Sequence, residues 1–272
     1  MSSALVLAGG GVTGIAWETG VLYGLQQQGL HLVDEVDLVV GTSAGATVGA
    51  QITSGTSLDE LFALQISDHH QEISPVIDLE LLARVFGELA AGGTETDSQR
   101  QEIGRLALSA STISEDERRH VIEWRLPKHD WPEVQLRLTA INATTGEFVT
   151  WDKNSGVSLI DAVASSCAVP TVWPCVSING KKYYDGGLRT STNAHLAAGY
   201  DTVFIVAPLT QGITPLISQE IEDLTASGSR VHVIVTDGDA IAAMGPNSLD
   251  PRFRKTAAEH GLRQGKNSII SL

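Results

Sequence analysis

Five residues near the start of the chain, Gly41-Thr42-Ser43-Ala44-Gly45, spell G-x-S-x-G. A serine becomes a nucleophile when a sharp turn from a strand into a helix exposes its hydroxyl. Glycines two positions to either side let the neighbouring backbone pass without a Cβ clash, which is the place of Gly41 and Gly45. The helix that follows sets its positive end beside the oxygen, where negative charge develops during acyl transfer. The same pattern also suits a plain strand-to-helix turn with a serine cap. Context favours the first reading: an apolar strand precedes Ser43, and small residues suited to a tightly packed helix follow it.

A second turn of the same kind lies upstream, Gly9-Gly10-Gly11-Val12-Thr13-Gly14. Written as Gly9, Gly11 and Gly14 it contains G-x-G-x-x-G, a cradle for a pyrophosphate. Alternatively, the N–H groups of Gly9, Gly10 and Gly11 form an oxyanion hole. A dinucleotide site wants an acidic residue at the end of the second strand to hold the ribose. Here that strand ends in the serine turn instead. Both turns open at the same edge of a doubly wound sheet, so the glycine amides are expected near Ser43, with Ala44 N–H as a further donor.

A serine needs a base. None of the eight histidines makes a convincing partner: His69 and His70, His120 and His129 lie in polar or charged stretches, His195 and His260 in helical ones, and His232 opens an apolar strand. Two aspartates remain. Asp185-Gly186-Gly187 follows a strand-like run, Lys181–Tyr184, and Asp237-Gly238 follows another. A desolvated carboxylate beside glycines becomes more basic and can take a serine proton directly. Each aspartate equally suits an ordinary turn.

The elements that must position these residues can be read from apolar runs and their punctuation. Ala4–Ala8 and Val36–Val40 read as buried strands, Ile15–Gln28 and Ala44–Thr53 as helices, which predicts a parallel sheet covered on both faces. Further strands are expected at Val134–Ile141, Phe148–Trp151, Val203–Ala207 and Val231–Thr236, and helices at Leu159–Cys167 and Phe253–Gln264. Residues 54–132 read as an inserted helical cap, with patches at Leu58–Ile66 and Leu79–Ala91, a polar stretch Gly92–Arg100 and a charged run Glu115–His120. Phe62, Leu64 and Ile66, or Leu81, Leu82 and Phe86, either line an acyl groove or pack on the core; packing is the expectation for most.

The chain of 272 residues carries a formal charge of −14. Such a surface repels nucleic acid and gains nothing from anionic lipid, so any transient membrane contact would use apolar surface. No signal-peptide pattern or membrane-length apolar run is present, which makes a cytoplasmic or membrane-peripheral location the expectation. Cys167 and Cys175 match no metal-ligand spacing and fit a reducing compartment.

These segments together resemble the patatin-like phospholipases. Ala8–Leu25 is similar to the family's glycine-rich oxyanion segment, Gly41–Gly45 to its nucleophile elbow, Ala164–Val176 to the approach to its second motif, and Asp185–Gly187 to that motif, with Asn193 and Gly199 continuing the pattern. The resemblance implies one catalytic domain over 1–272, an α/β/α three-layer sandwich with a mainly parallel sheet. It implies a Ser43–Asp185 dyad and so selects Asp185 over Asp237, with Gly14, Gly186 and Gly187 supporting the motifs. It implies hydrolysis of phospholipid, lysophospholipid or neutral acyl esters without metal or cofactor. Acyl transfer by the same dyad and a silent lipid-binding protein are the rival readings. The chain departs from the pattern at Thr13, where many members carry Arg or Lys.

Overall fold

The structure is a computed structural model that describes residues 1–75, 77, 80–82, 84–85 and 96–268. Phe86 and most of the patch Leu79–Ala91, together with the first part of the stretch Gly92–Arg100, lie outside the described residues.

Short apolar runs ended by glycine or polar residues become strands β1 (Ser3–Leu7) and β2 (Leu38–Gly41), each followed by a helix, α1 (Gly11–Gln27) before the short α2 (Leu32–Glu35), and α3 (Ala44–Ile52). Three helices then start at capping boxes in which a hydroxyl and the Glu or Gln three residues on exchange bonds with backbone N–H groups. They are α4 (Leu58–Ile66) after Ser57, α5 (Asp97–Ser109) after Thr96 and α6 (Glu115–Arg125) after Ser114. β3 (Gln135–Asn142), β4 (Phe148–Trp151), α7 (Leu159–Ser166), β5 (Val176–Ile178), β6 (Lys181–Asp185) and β7 (Thr202–Ala207) follow, then α8 (Pro215–Ala226), β8 (Arg230–Val235), α9 (Gly238–Met244) and α10 (Arg254–Asn267).

The strands form one sheet in the order β5-β6-β3-β2-β1-β7-β8, with β4 also on β3. β3, β2, β1, β7 and β8 are mutually parallel, while β4 and β6 run against β3. Leu5, Leu7, Val39, Leu138 and Phe204 turn to one face and pack with α1, α3, α7 and α10. Ala4, Val6, Leu38, Val40 and Ile205 turn to the other, toward Ile217 and Leu224 of α8. This is the three-layer arrangement expected from the order of elements. α1 and α10 press so closely that a Cβ on Gly20 would stand 2.2 Å from the Ala258 carbonyl oxygen, and one on Gly261 2.2 Å from that of Trp17.

Within 54–132 the described helices share cores with the sheet. Leu58 and Leu61 of α4, Ile122 of α6 and Leu126 lie in the main core, and Phe62 packs on Tyr23 at 5.2 Å between ring centroids. α5 sets Ile103 and Leu106 against Ile141 and Tyr184 in a separate cluster.

One detail of register positions the site. Leu138 pairs with Gly41 on one edge of β3 and with Trp151 on the other, whereas Ala140 pairs with Val149 of β4 and with Asp185. β2 and β6 therefore share the same edge of β3, approaching from opposite directions. They meet end to end, Gly41 opposite Leu138 and Asp185 opposite Ala140.

Candidate active site

Ser43 sits where β2 gives way to α3, with φ 54° and ψ −112°. A non-glycine residue holds this left-handed conformation only when its surroundings fix it. They do so here. Ser43 N–H donates to Ser166 Oγ at 2.9 Å, and the Ser43 carbonyl accepts from Cys167 Sγ at 3.1 Å. Gly45 N–H donates to the Ala8 carbonyl at 3.0 Å, tying the two loops together. At Gly45 any Cβ would stand 2.1 Å from the Leu7 carbonyl oxygen, so this turn position admits only glycine. Gly41 lies at the strand end beneath it. Cys167 and Cys175 are both free, buried thiols.

Asp185 faces Ser43 because the two strand ends abut. The junction is stitched from its side: Thr139 Oγ1 donates to Thr42 Oγ1 at 3.0 Å, and Asn193 Nδ2 donates to Thr42 Oγ1 at 3.1 Å and to the Gly186 carbonyl at 3.2 Å. Asn193 is fully buried and spans both turns. The Asp185 carboxylate accepts from Gly187 N–H at 2.8 Å, and the Ser43 side chain lies close enough to favour its ionised form. Burial pushes its pKa from 3.8 up to about 7, against Ser43 and the Gly187 N–H, which both favour the ionised form.

The glycine turn reaches the same place, with one correction. Gly9 N–H is already given to the Ser191 carbonyl at 2.9 Å, so it is no donor for an oxyanion. Gly9 instead lines Ser43, where a Cβ on it would stand 3.4 Å from Ser43 Cβ. Among the described residues, Gly10, Gly11 and Ala44 N–H meet no acceptor of the protein. Gly11 begins α1 with φ +66° and, like Ala44, borders the crevice over Ser43, which Gly10 does not. Thr13 points elsewhere, its N–H and hydroxyl donating to the Ser248 carbonyl at 3.0 and 3.3 Å. A Cβ on Gly14 would stand 3.3 Å from that of Ala44, where α1 passes α3.

The crevice over Ser43 is small, about 20 Å³, room for one water molecule. Val169 and Trp173 wall it beside Cys167, and Arg118 and Arg125 are the charged side chains on its lining. It shares Val12, Ile15 and Arg125 with a neighbouring crevice of about 70 Å³ that runs out past Trp124 and Leu64. A much larger cleft, about 390 Å³ beside residues 131–137 and 152–154, shares no lining residue with either. Among the described residues no histidine borders Ser43: His195 bonds Glu220 at 3.1 Å, and His232 stacks on Phe204. Asp237 caps α9, accepting from Ala240 N–H at 2.8 Å.

Residues 5–198, well over half of the chain, match the family described as patatin-like phospholipase. The chain belongs to that family. Among curated protein sequences no match is found. Solved structures similar to this patatin-like chain include VipD from Legionella pneumophila, at 13% identity and a TM-score of 0.47 over 97% of this chain and 66% of that one. The type III effector ExoU of Pseudomonas aeruginosa shares 16% identity at a TM-score of 0.42, over 98% and 54%. Human GIVD cytosolic phospholipase A2, in complex with methyl gamma-linolenyl fluorophosphonate, shares 10% at 0.43, over 97% and 56%. The chain thus spans between about half and two thirds of their lengths.

Two contributors to this site escape a motif reading. Thr139 and Arg118 come from a strand interior and a charged run, and only tertiary packing brings them to Ser43. Ser166 lies inside the motif-like segment Ala164–Val176, but its bond to Ser43 is not visible there. Asn193 is visible in the sequence as part of the pattern, but its bond to Thr42 is not.

Proposed function

We propose that the chain is a serine acyl hydrolase that cleaves carboxylic esters of lipids through a Ser43–Asp185 dyad. The observation that carries this reading is the Ser43 side chain beside a buried carboxylate whose pKa burial raises to about 7. Membership of the patatin-like phospholipases supports the lipid ester as substrate.

Ser43 Oγ attacks the ester carbonyl carbon while Asp185 takes the hydroxyl proton. Negative charge moves to the carbonyl oxygen, where Gly11 and Ala44 N–H, with Gly10 behind them, are available as donors. One such donor is typically worth about 3–4 kcal/mol of barrier. The tetrahedral species collapses, the C–O bond to the alcohol breaks, and protonated Asp185 returns its proton to the departing oxygen. Water, deprotonated by the same carboxylate, then attacks the acyl carbon; the bond to Ser43 Oγ breaks, Asp185 returns the proton to Oγ, and the acid departs. The crevice of about 20 Å³ is too small for an acyl chain, so substrate entry requires its walls to part. Contact with a membrane is brief and peripheral, and among the described residues no helix is long and apolar enough to cross one.

A fluorophosphonate probe tests the nucleophile. It should label Ser43, and neither Ser43→Ala nor Asp185→Asn should hydrolyse a p-nitrophenyl ester while both keep the parent circular dichroism. Labelling mapped to another residue, or full turnover by Asp185→Asn, would refute the dyad.

A further inference from the structure

Arg118 is 4% exposed, on the inward face of α6, and it borders the crevice over Ser43. Its guanidinium lies over the Trp173 ring, 3.9 Å from the centroid. Its Nε and Nη1 meet no hydrogen-bond acceptor among the described residues. The nearby acid is already committed: Glu72 holds Arg125 in a two-pronged pair at 2.8 and 2.6 Å. Arg254, which also feels Glu72, donates to the Leu64 carbonyl at 2.8 Å. Three guanidiniums thus share one carboxylate. Arg118 stays charged at neutral pH, although burial first, and Arg125 beside it second, pull its pKa down to about 9. A buried cation without its hydrogen bonds is costly, and folds rarely keep one unless a ligand supplies the missing acceptor. A guanidinium offers a planar fork of donors suited to a phosphate or carboxylate.

We infer that Arg118 is the anion-binding, specificity-determining residue of this site, taking a phosphate oxygen of the substrate beside the ester that Ser43 attacks. This rests on the acyl hydrolase reading of Ser43. The anion enters from the side of Arg125, where the two crevices join, and displaces the guanidinium from the Trp173 face enough to widen the opening.

The test compares two monomeric substrates with the same acyl chain, hexanoyl lysophosphatidylcholine and monohexanoylglycerol. The parent should prefer the phosphodiester. In Arg118→Gln the ratio of the two kcat/KM values should fall about tenfold to a hundredfold, the worth of a charge-assisted hydrogen bond. Arg118→Lys should recover part of it. An unchanged ratio, or a parent with no preference, overturns the inference, because a guanidinium that serves only as a stacking partner for Trp173 lowers both values together. Should Arg118→Gln fail to fold, the ratio in Arg118→Lys decides. Calorimetry on Ser43→Ala reads the same residue without turnover: this protein should bind the lysophospholipid more tightly than the monoacylglycerol, and adding Arg118→Gln should erase the difference. Binding without a difference overturns the inference even if hydrolysis is real. A difference without hydrolysis by the parent keeps Arg118 and removes the hydrolase reading. Competition by inorganic phosphate at concentrations matching the lysolipid would identify free phosphate rather than a headgroup as the ligand.

Discussion

Acidification should silence the site well above the range in which an ordinary aspartate titrates. Asp185 is a base only when ionised, and burial raises its pKa to about 7. At pH 8 about nine tenths of the carboxyl is then ionised, and at pH 5 about one hundredth, a fall of about ninetyfold in kcat/KM. The assay is initial-rate hydrolysis of a neutral ester between pH 5 and 9, with released acid measured by chromatography so that the product's own titration does not interfere. Stability reads the same group from the other side. The folded pKa lies above the unfolded one, so neutral Asp185 costs the fold nothing below about pH 4, and the penalty grows as pH rises toward 7. Moving a carboxyl from 3.8 to about 7 is worth about 4 kcal/mol. Asp185→Asn should therefore lose activity yet melt higher than the parent at pH 8, with the gap closing toward pH 4. A flat rate profile from pH 5 to 8, or an inflection near 4, refutes the assignment of Asp185 as a buried base.

Three further outcomes follow from the geometry. Asn193→Ala removes the side chain bonded to both Thr42 and the Gly186 carbonyl, and should lower kcat at least tenfold with KM little changed, read by steady-state kinetics. Glu18 is fully buried, and that burial raises its pKa well above 4.5; its neutral form suits the fold at low pH and is lost as pH rises, so Glu18→Gln should raise Tm at pH 8 more than at pH 5 in calorimetric scans. Asp237→Ala removes the cap on α9 and should cost about 1 kcal/mol in denaturant unfolding while kcat/KM holds, and a loss of turnover there would reassign the base.

The serine turn and the glycine turn were legible because backbone chemistry writes them locally: a left-handed Ser43 and a close approach at Gly45 demand particular neighbours. Asp185 and Asp237 look alike in sequence, each an acid before glycine at a strand end. Pairing separates them. β6 turns back along β3 and delivers Asp185 to Thr42, whereas β8 closes the far edge of the sheet and leaves Asp237 to a helix cap. Arg118 was hidden for a different reason. α6 buries Arg118, Val121, Ile122 and Arg125 on one side, and hydrophobic periodicity cannot recognise an inward face that is half arginine. α8 carries readable signals, Thr214 before Pro215 and apolar residues at 217, 221 and 224, yet it packs on the face of the sheet away from α3.

The meeting of β2 and β6 along a single edge separates reaction geometry from chain length. The gap between hydroxyl and carboxylate is fixed by two rungs of one ladder, not by the long stretch that joins them. Loops in that stretch can lengthen, or be exchanged for a different entrance, without retuning the chemistry. A slip of β6 by a single rung, in contrast, would swing residue 185 to the opposite side of the sheet, so tolerance to change should be generous between the strands and nearly nil within them.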